Sequence, residues 1–348
     1  LLRDYTTGSS FNSGTINRTV DLNGHTWTYT GTDTNCAAFE VNNPNVTLTV
    51  KSGKVVSNSM IGLIPSAMGG TIKYDNSSLT FENVEMSTTA TSGIETNGNN
   101  TNDSVTLRNS TLNVPNGFGI YFPSSGSLTI DNSTINAKTM GVQVCAGNLS
   151  INAGSTITVS GDAVPKTEGD GAIQDGAAIS IVNRTGYKGL GDVTVTGGKF
   201  TAKDKNNALK AYKWENQAES VFNNSNNIIA VSGGTFSSEV KPEYCAEDYI
   251  YNSETKTVES LGETNAVAKI VGDDETTYYK PLADAVTAAD NTTVTLLKDT
   301  TENVTIPTDK TLTLDLNGKT LSGGKNNDKA ALLNNGTVTI KDSSATKT

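Results

Sequence analysis

The chain has 348 residues, with 26 Lys+Arg against 36 Asp+Glu, a net charge of −10 and only 18% charged residues. Its polar mass is instead Thr, Asn and Ser, with 33 Gly and 8 Pro, a profile of short strands and many turns, because β-branched Thr suits a pleated surface while Asn and Gly supply bends. The acidic balance, without a Lys/Arg cluster, speaks against nucleic acid as a partner, and no stretch approaches the roughly 20 apolar residues of a membrane span. A start at Leu1-Leu2-Arg3-Asp4, without Met or a signal peptide, leads us to expect a piece of a longer protein.

In chain order, the first signal is Asp21-Leu22-Asn23-Gly24-His25-Thr26-Trp27, a turn entering a strand. His25 is the single histidine. Ser/His/Asp and Cys/His arrangements need a positioned imidazole, and a solvated turn residue does not supply one. Cys36, Cys145 and Cys245 are odd in number and lack CxxC spacing, so neither a disulfide framework nor zinc is indicated. They read as small buried hydrophobes.

Short alternating phrases then recur: Asn45-Val46-Thr47-Leu48, Ser78-Leu79-Thr80-Phe81, Ser104-Val105-Thr106-Leu107, Ser127-Leu128-Thr129-Ile130, Asn148-Leu149-Ser150-Ile151 and Asp192-Val193-Thr194-Val195. Alternation with a period of two marks half-buried strands. The steps from Val46 through Leu149 shorten from 33 to 21 residues, and the 44 residues to Val193 leave room for one more phrase between Gly171 and Ile181. A second phrase follows each first one across a small Asn or Gly bend, as in Asn109-Ser110-Thr111-Leu112 and Asn132-Ser133-Thr134-Ile135. A third appears as Gly119-Ile120-Tyr121-Phe122, Gly141-Val142-Gln143-Val144 and Ala178-Ile179-Ser180-Ile181. Three short strands repeated at this spacing predict an all-β solenoid, a parallel β-helix whose rungs stack Val46, Leu79, Val105, Leu128, Leu149 and Val193 in one internal column. An antiparallel sandwich would need a hairpin every 8 to 12 residues or so.

Functional variety in such a stack enters as insertions between strands. The first holds Glu168-Gly169-Asp170-Gly171-Ala172-Ile173-Gln174-Asp175-Gly176, an acidic Gly-rich loop. Glu168, Asp170 and Asp175 form a weak candidate set for Ca²⁺, since carboxylate and carbonyl oxygens are its ligands, although the EF-hand pattern is absent and a solvated loop is the plainer reading. Tyr187-Lys188-Gly189-Leu190 is an exposed turn. The largest insertion carries Ala211-Tyr212-Lys213-Trp214-Glu215-Asn216, with one of the two tryptophans of the chain. Aromatics with a polar handle anchor interfaces and sugar sites. Tyr212, Lys213, Trp214, Tyr187 and Lys188 are therefore the candidate ligand-binding residues, with lateral cover of the stack as the competing role for Tyr212 and Trp214. No catalytic residue is assigned: Arg18, Arg108 and Arg184 stand singly in separate strands, and loops rich in Gly and Asn do not promise the burial that drives two carboxyl pKa values apart.

Beyond the stack, Tyr249-Ile250-Tyr251, a polar turn and Thr257-Val258 read as a closing hairpin. Ala266 to Val271 reads as a strand and Pro281 to Ala289 as a helix, with Leu282, Ala285, Val286 and Ala289 on one face and Pro281 in its first turn. Its apolar face is suited to covering an open stack end. Leu296-Leu297-Lys298-Asp299 repeats Leu1-Leu2-Arg3-Asp4, and Asp315-Leu316-Asn317-Gly318-Lys319-Thr320 repeats Asp21-Leu22-Asn23-Gly24-His25-Thr26. The expected organisation is a β-helix module over 1–236, a closing hairpin and linker over 237–262, and over 263–348 a strand-helix-strand cap, βαβ-like, leading into the first rungs of a second module.

The cap helix, the Leu-Leu-Lys-Asp strand, Leu314-Asp315-Leu316-Asn317-Gly318-Lys319-Thr320 and Ser232-Gly233-Gly234-Thr235-Phe236 resemble the adhesin-like right-handed β-helix modules on large surface proteins of gut Firmicutes. That resemblance implies a right-handed coil in a secreted, wall-attached protein of many modules, each monomeric. It also implies a host protein, such as an immunoglobulin or a mucosal glycoprotein, or a glycan as partner; from the residues themselves we expect no membrane insertion in this segment and no cofactor, with Ca²⁺ at the acidic loop as the one alternative. Other proteins of this fold cleave acidic polysaccharides, so a lyase or hydrolase built on Glu168, Asp170 and Asp175 is the alternative.

Overall fold

A computed structural model describes residues 1–165, 171–273, 275–324 and 330–345. The chain is nearly all β, with one seven-residue α-helix, Leu282–Ala288, among the described residues. It divides into two compact units, the first comprising Leu1–Ala246 with Ser253–Val258 and the second Glu247–Asn252 with Glu259–Thr348.

In the first unit the strands form rows in which each member pairs in parallel with the member one circuit later. One row pairs Leu48 with Leu79, Leu79 with Val105, Val105 with Leu128, Leu128 with Leu149, Leu149 with Val193 and Val193 with Ile229. All seven side chains are buried. Leu48, not the expected Val46, joins this column. Asn45-Val46-Thr47-Leu48-Thr49-Val50 alternates throughout, so a slip of two residues leaves the same face inward, and Leu48 and Val50 pair with Leu79 and Phe81.

A second row carries Leu112, Ile135, Ile157 and Phe200 in register. The bend between the two rows lies at Asn83, Asn109 and Asn132, whose φ values are 55°, 49° and 44°. Asn tolerates this left-handed conformation better than other residues with a Cβ, and the Asn132 amide donates to Asn109 Oδ1 at 2.8 Å.

The third row is a separate nine-stranded sheet that includes Ser92–Thr96, Phe118–Phe122, Met140–Val144, Ile179–Arg184 and Leu209–Glu215 in parallel, closed by Ala218–Val221 running antiparallel. The 44-residue step hides no further first-row strand, contrary to expectation: Leu149 pairs directly with Val193, and the extra residues lengthen the one connection that contains the third-row strand Ile179–Arg184. At the start of these strands neighbouring backbones approach closely: a Cβ on Gly141 would lie 2.3 Å from the Ala178 carbonyl oxygen, and one on Gly119 would lie 2.4 Å from that of Gly141. Only glycine fits there, which is why Gly opens the third phrase.

In the second unit Thr292–Leu296, Thr311–Asp315 and Thr337–Lys341 pair in parallel, while Ala268–Val271 runs antiparallel to both Thr276–Tyr279 and Thr292–Leu296. Leu282, Ala285, Val286 and Ala289 are buried against Val294, Leu296, Val304, Ile306, Leu312 and Leu314. Pro281 is the N-cap rather than a first-turn residue. Because Pro offers no side-chain acceptor, the Glu302 carboxylate takes that role, accepting from the amides of Leu282 at 3.0 Å and Ala283 at 3.2 Å.

The long sequence repeat proves to be a repeat of local hydrogen bonding. Thr26 N donates to Asp4 Oδ1 at 2.9 Å, and Thr320 N donates to Asp299 Oδ1 at 2.8 Å. Within the turns, Asn23 N donates to Asp21 Oδ1 at 2.9 Å and Asn317 N to Asp315 Oδ1 at 3.1 Å. These aspartates hold strand entries, so the repeated motif specifies architecture in both units.

Candidate functional site

Across the third row, Glu95, Tyr121, Gln143, Ser180 and Lys210 occupy one register line on five neighbouring strands. This line brings aromatic and amide side chains together, whereas the first row carries Thr and Ser lines and a charged line of Lys51, Glu82, Arg108 and Asp131. Residues 171–178 lie over its middle as a strap. Gln143 is fully buried and treats the strap as a neighbouring strand would, accepting from Ile173 N at 2.8 Å and donating to Ile173 O at 2.7 Å and Ser180 Oγ at 2.9 Å. Thr139 adds a hydrogen bond to Gln174 Oε1 at 2.6 Å.

Asp175 fastens the far end of the strap. Its carboxylate accepts from Ser180 Oγ at 2.7 Å, from Tyr212 OH at 2.9 Å and from its own strap at Ala177 N, 3.1 Å away. Burial pushes its carboxyl pKa up, partly offset by these donors. The expectation that a Gly-rich loop would leave its carboxylates solvated fails here: Asp175 is 8% exposed. Glu168 and Asp170 lie outside the described residues. Among the described residues no group of three His, Cys, Asp or Glu side chains could hold a metal.

Tyr212 and Trp214 are buried beneath the same cover, in a cluster with Phe118, Tyr121, Met140, Cys145, Ile173 and Val182. Their rings meet edge to face at a centroid distance of 6.4 Å. They are therefore lateral cover, and neither offers the exposed anchor that their sequence context suggests. The reason is long-range: the strap arrives some 37 residues earlier in the chain and seals them with the Asp175 bond. Lys213 points away from this cluster, half-buried, with Nζ 2.7 Å from Glu215 Oε2.

Arg184, read from sequence as a solitary strand residue, is the hub of the opposite end. It is 4% exposed and donates from Nη1 to Gly171 O at 2.6 Å and to Tyr121 OH at 3.2 Å. Its guanidinium lies 4.8 Å from the centre of the Tyr187 ring, and the Tyr187 and Tyr121 hydroxyls share a hydrogen bond of 2.9 Å. Burial raises the Tyr121 and Tyr212 hydroxyl pKa values. Lys188 is not a free cation: Nζ donates to Asn99 O at 3.0 Å, to Thr101 Oγ1 at 2.7 Å and to Asn100 O. Tyr187 and Lys188 thus dock the 185–189 turn onto the corner at 99–101.

Between that turn, the strap and the end of Ser92–Thr96 lies a cleft of about 330 Å³, lined by Glu95, Thr96, Asn97, Asn99, Tyr121 and Tyr187 among others. Burial pushes the Glu95 carboxyl above its ordinary range, opposed by a hydrogen bond from Ser92. A larger, shallower groove of about 690 Å³ follows the bend between the first two rows, but its lining is Gly, Asn and Thr with the Lys54–Glu85 ion pair, and it has no aromatic wall. Sequence reasoning found the turn at Tyr187 but missed Glu95, Thr96 and Tyr121, whose only signal was their place in the third phrase.

The nucleophiles available elsewhere are quiet. Burial pushes the Cys145 thiol up to about 12, so no thiolate forms at neutral pH. Cys36 is half-buried rather than buried, because Asp33 and Ser59 hold its turn at the surface. His25 Nδ1 sits 3.5 Å from Asp4 Oδ1 beside the repeated turn, more covered than a solvated turn residue would be. No family model, curated protein or solved structure matches the chain, and no helix of the described residues is long and apolar enough to cross a membrane.

Proposed function

We propose that this chain is a right-handed parallel β-helix binding module followed by the opening of a second one, displayed at a cell surface and engaging a host protein or glycoprotein without turning it over. Successive circuits that return to one register support the coil, and the second unit, with the same Asp-held turn, supports a tandem array.

One observation carries the binding reading: a rigid parallel sheet presents a lateral cleft whose walls are fixed by a hydrogen-bonded strap and a docked turn. Pre-organised loops on such a scaffold suit recognition, since little conformational entropy is lost on contact. The chemistry of the region fits binding better than catalysis. Two-carboxylate hydrolysis needs one proton donor and one ionised partner facing a common bond, whereas Asp175 is already saturated by three donors and Glu95 lines the cleft without a second described carboxylate. A net charge of −10 also disfavours acidic polysaccharide as the cargo.

The test is a panel of immobilised host immunoglobulin, mucin and acidic polysaccharides. Saturable binding to a protein or glycoprotein with no change in ligand mass is expected. Release of unsaturated or reducing sugars from any panel member would replace this reading with the polysaccharide-active alternative.

A further inference from the structure

The three rows of the first unit end differently. The first is covered where Val231 bridges Cys245, its carbonyl accepting from Ala246 N at 2.8 Å. The second is covered by the chain at 256–258 running antiparallel, with Phe236 N donating to Lys256 O at 2.8 Å and Val258 N to Gly234 O at 2.9 Å. The third ends at Ala218–Val221, which pairs on one side with Leu209–Glu215 and whose main chain has no further partner among the described residues. All four of its residues are exposed, Val221 to 88%. Hairpin geometry fixes which groups stay free. Asn216 and Gln217, at φ 51° and 59°, form a two-residue loop, so Glu215 and Ala218 exchange both of their hydrogen bonds. Bonded and non-bonded pairs alternate from there. Lys213 and Ser220 are bonded, while Glu219 and Val221 stand opposite Trp214 and Tyr212 without bonds. The N–H and C=O of Glu219 and of Val221 therefore point off the sheet, and their side chains share one face with Trp214 and Tyr212.

We propose that this edge is a second binding surface, separate from the cleft, that takes an extended segment of a partner protein as one more antiparallel strand, with a basic residue facing Glu219 and an apolar one facing Val221. In the antiparallel sense Glu219 and Val221 each exchange both main-chain bonds with the residue that faces them. An apolar side chain opposite Val221 covers the one large hydrophobic group that the hairpin leaves in water. The Glu219 carboxylate accepts from Lys210 Nζ at 2.6 Å and is still 44% exposed, so a second cation can reach it. A net charge of −10 also draws a basic segment. A second copy of this chain fits less well. Self-pairing that uses both residues sets each Glu219 against the other copy's Val221, and pairing centred on Glu219 sets carboxylate against carboxylate.

The edge goes beyond the binding reading above and is tested apart from it. A short labelled peptide in which Lys and Val take turns at every second position, with Thr between them, is titrated into the full chain by fluorescence polarisation. Its counterpart with Glu for Lys, and the variants Glu219→Pro and Glu219→Lys, are run alongside. The Lys peptide is expected to bind saturably, to slow hydrogen exchange at the Glu219 and Val221 amides, and to lose roughly tenfold or more in affinity with Glu219→Pro. Proline there removes a donor that faces away from the hairpin, as edge strands tolerate, so the melting temperature should hold. Glu219→Lys keeps the strand whatever proline does to it, and should transfer the preference to the Glu peptide. The proposal is overturned if neither peptide binds, if the parent binds both alike, if Glu219→Lys leaves the preference unchanged, or if a folded Glu219→Pro binds as the parent does. A dimer of the parent that Glu219→Pro dissolves would overturn it in favour of a second copy. Capture of immunoglobulin or mucin by a chain that binds neither peptide would sink the edge alone, whereas peptide binding by a chain that captures neither protein supports the edge and sinks the host-binding reading.

Discussion

Tyr212 and Asp175 are joined by a hydrogen bond of 2.9 Å between the phenol and Oδ2, and this bond locks a surface strap onto the outer face of a parallel sheet. Both partners are buried, so removing the phenol leaves Asp175 Oδ2 with Ser180 Oγ as its one remaining side-chain donor in a low-dielectric site. Tyr212→Phe is expected to cost about 1–3 kcal/mol and to lower the melting temperature, with strap amides such as Ile173 N exchanging faster.

Trp214 is 7% exposed and packs on Tyr212. Trp214→Ala should therefore destabilise the fold by roughly 3–5 kcal/mol, and any fall in binding should track the loss of folded protein. An unchanged melting temperature with weakened binding would return Trp214 to the role of ligand anchor.

The contrast shows what the residues could and could not announce. Period-two alternation at Leu79, Val105, Leu128, Leu149 and Val193 is a local property, and each of these positions is buried as read. The burial of Trp214 depends on a strap anchored through Gln143 and Asp175, and Arg184 meets Tyr121 across 63 residues of chain. Neither contact has a local sequence signature. The slip from Val46 to Leu48 is ambiguous for a different reason, since a shift of two preserves facing.

Stability should depend on pH through Asp103, which is fully buried beside a register shift in Thr101–Arg108. Burial pushes its carboxyl pKa up to about 7, against hydrogen bonds from Asn100, Ser77 and Ser124 that lower it. Its Oδ2 has no partner. The folded state therefore holds a proton that the unfolded chain has released. The contribution is full below about pH 4 and is lost as pH rises to about 7, at roughly 1.4 kcal/mol per unit. Denaturant titrations at pH 4.5, 5.5 and 6.5 should show parent stability falling relative to Asp103→Asn; a constant difference would mean Asp103 is ionised throughout.

The spacing of the parallel strands is tested at Gly141. A Cβ there would meet the Ala178 carbonyl oxygen at 2.3 Å and Ile157 Cγ2 at 2.4 Å. Backbone cannot give way cheaply inside a stack, so Gly141→Ala should destabilise by about 3 kcal/mol, whereas Gly186→Ala, with open space at its Cβ but a φ of 87°, should cost about 1 kcal/mol.

Thiol chemistry offers a simple check of burial. Cys145 and Cys245 are buried and Cys36 is half-buried. Native protein treated with a thiol reagent should label Cys36 slowly and leave the other two untouched, while all three react in denaturant. Rapid native labelling of Cys145 would show that the strap opens readily.

Hydrogen–deuterium exchange with and without mucin addresses the recognition surface directly. Protection on binding should appear at residues 95–100 and 185–189, where the cleft and the docked turn meet. Protection confined instead to the groove lined by Gly24, Lys54, Asn83, Glu85 and Asn109, with none at 95–100, would contradict the assignment of binding to the lateral cleft.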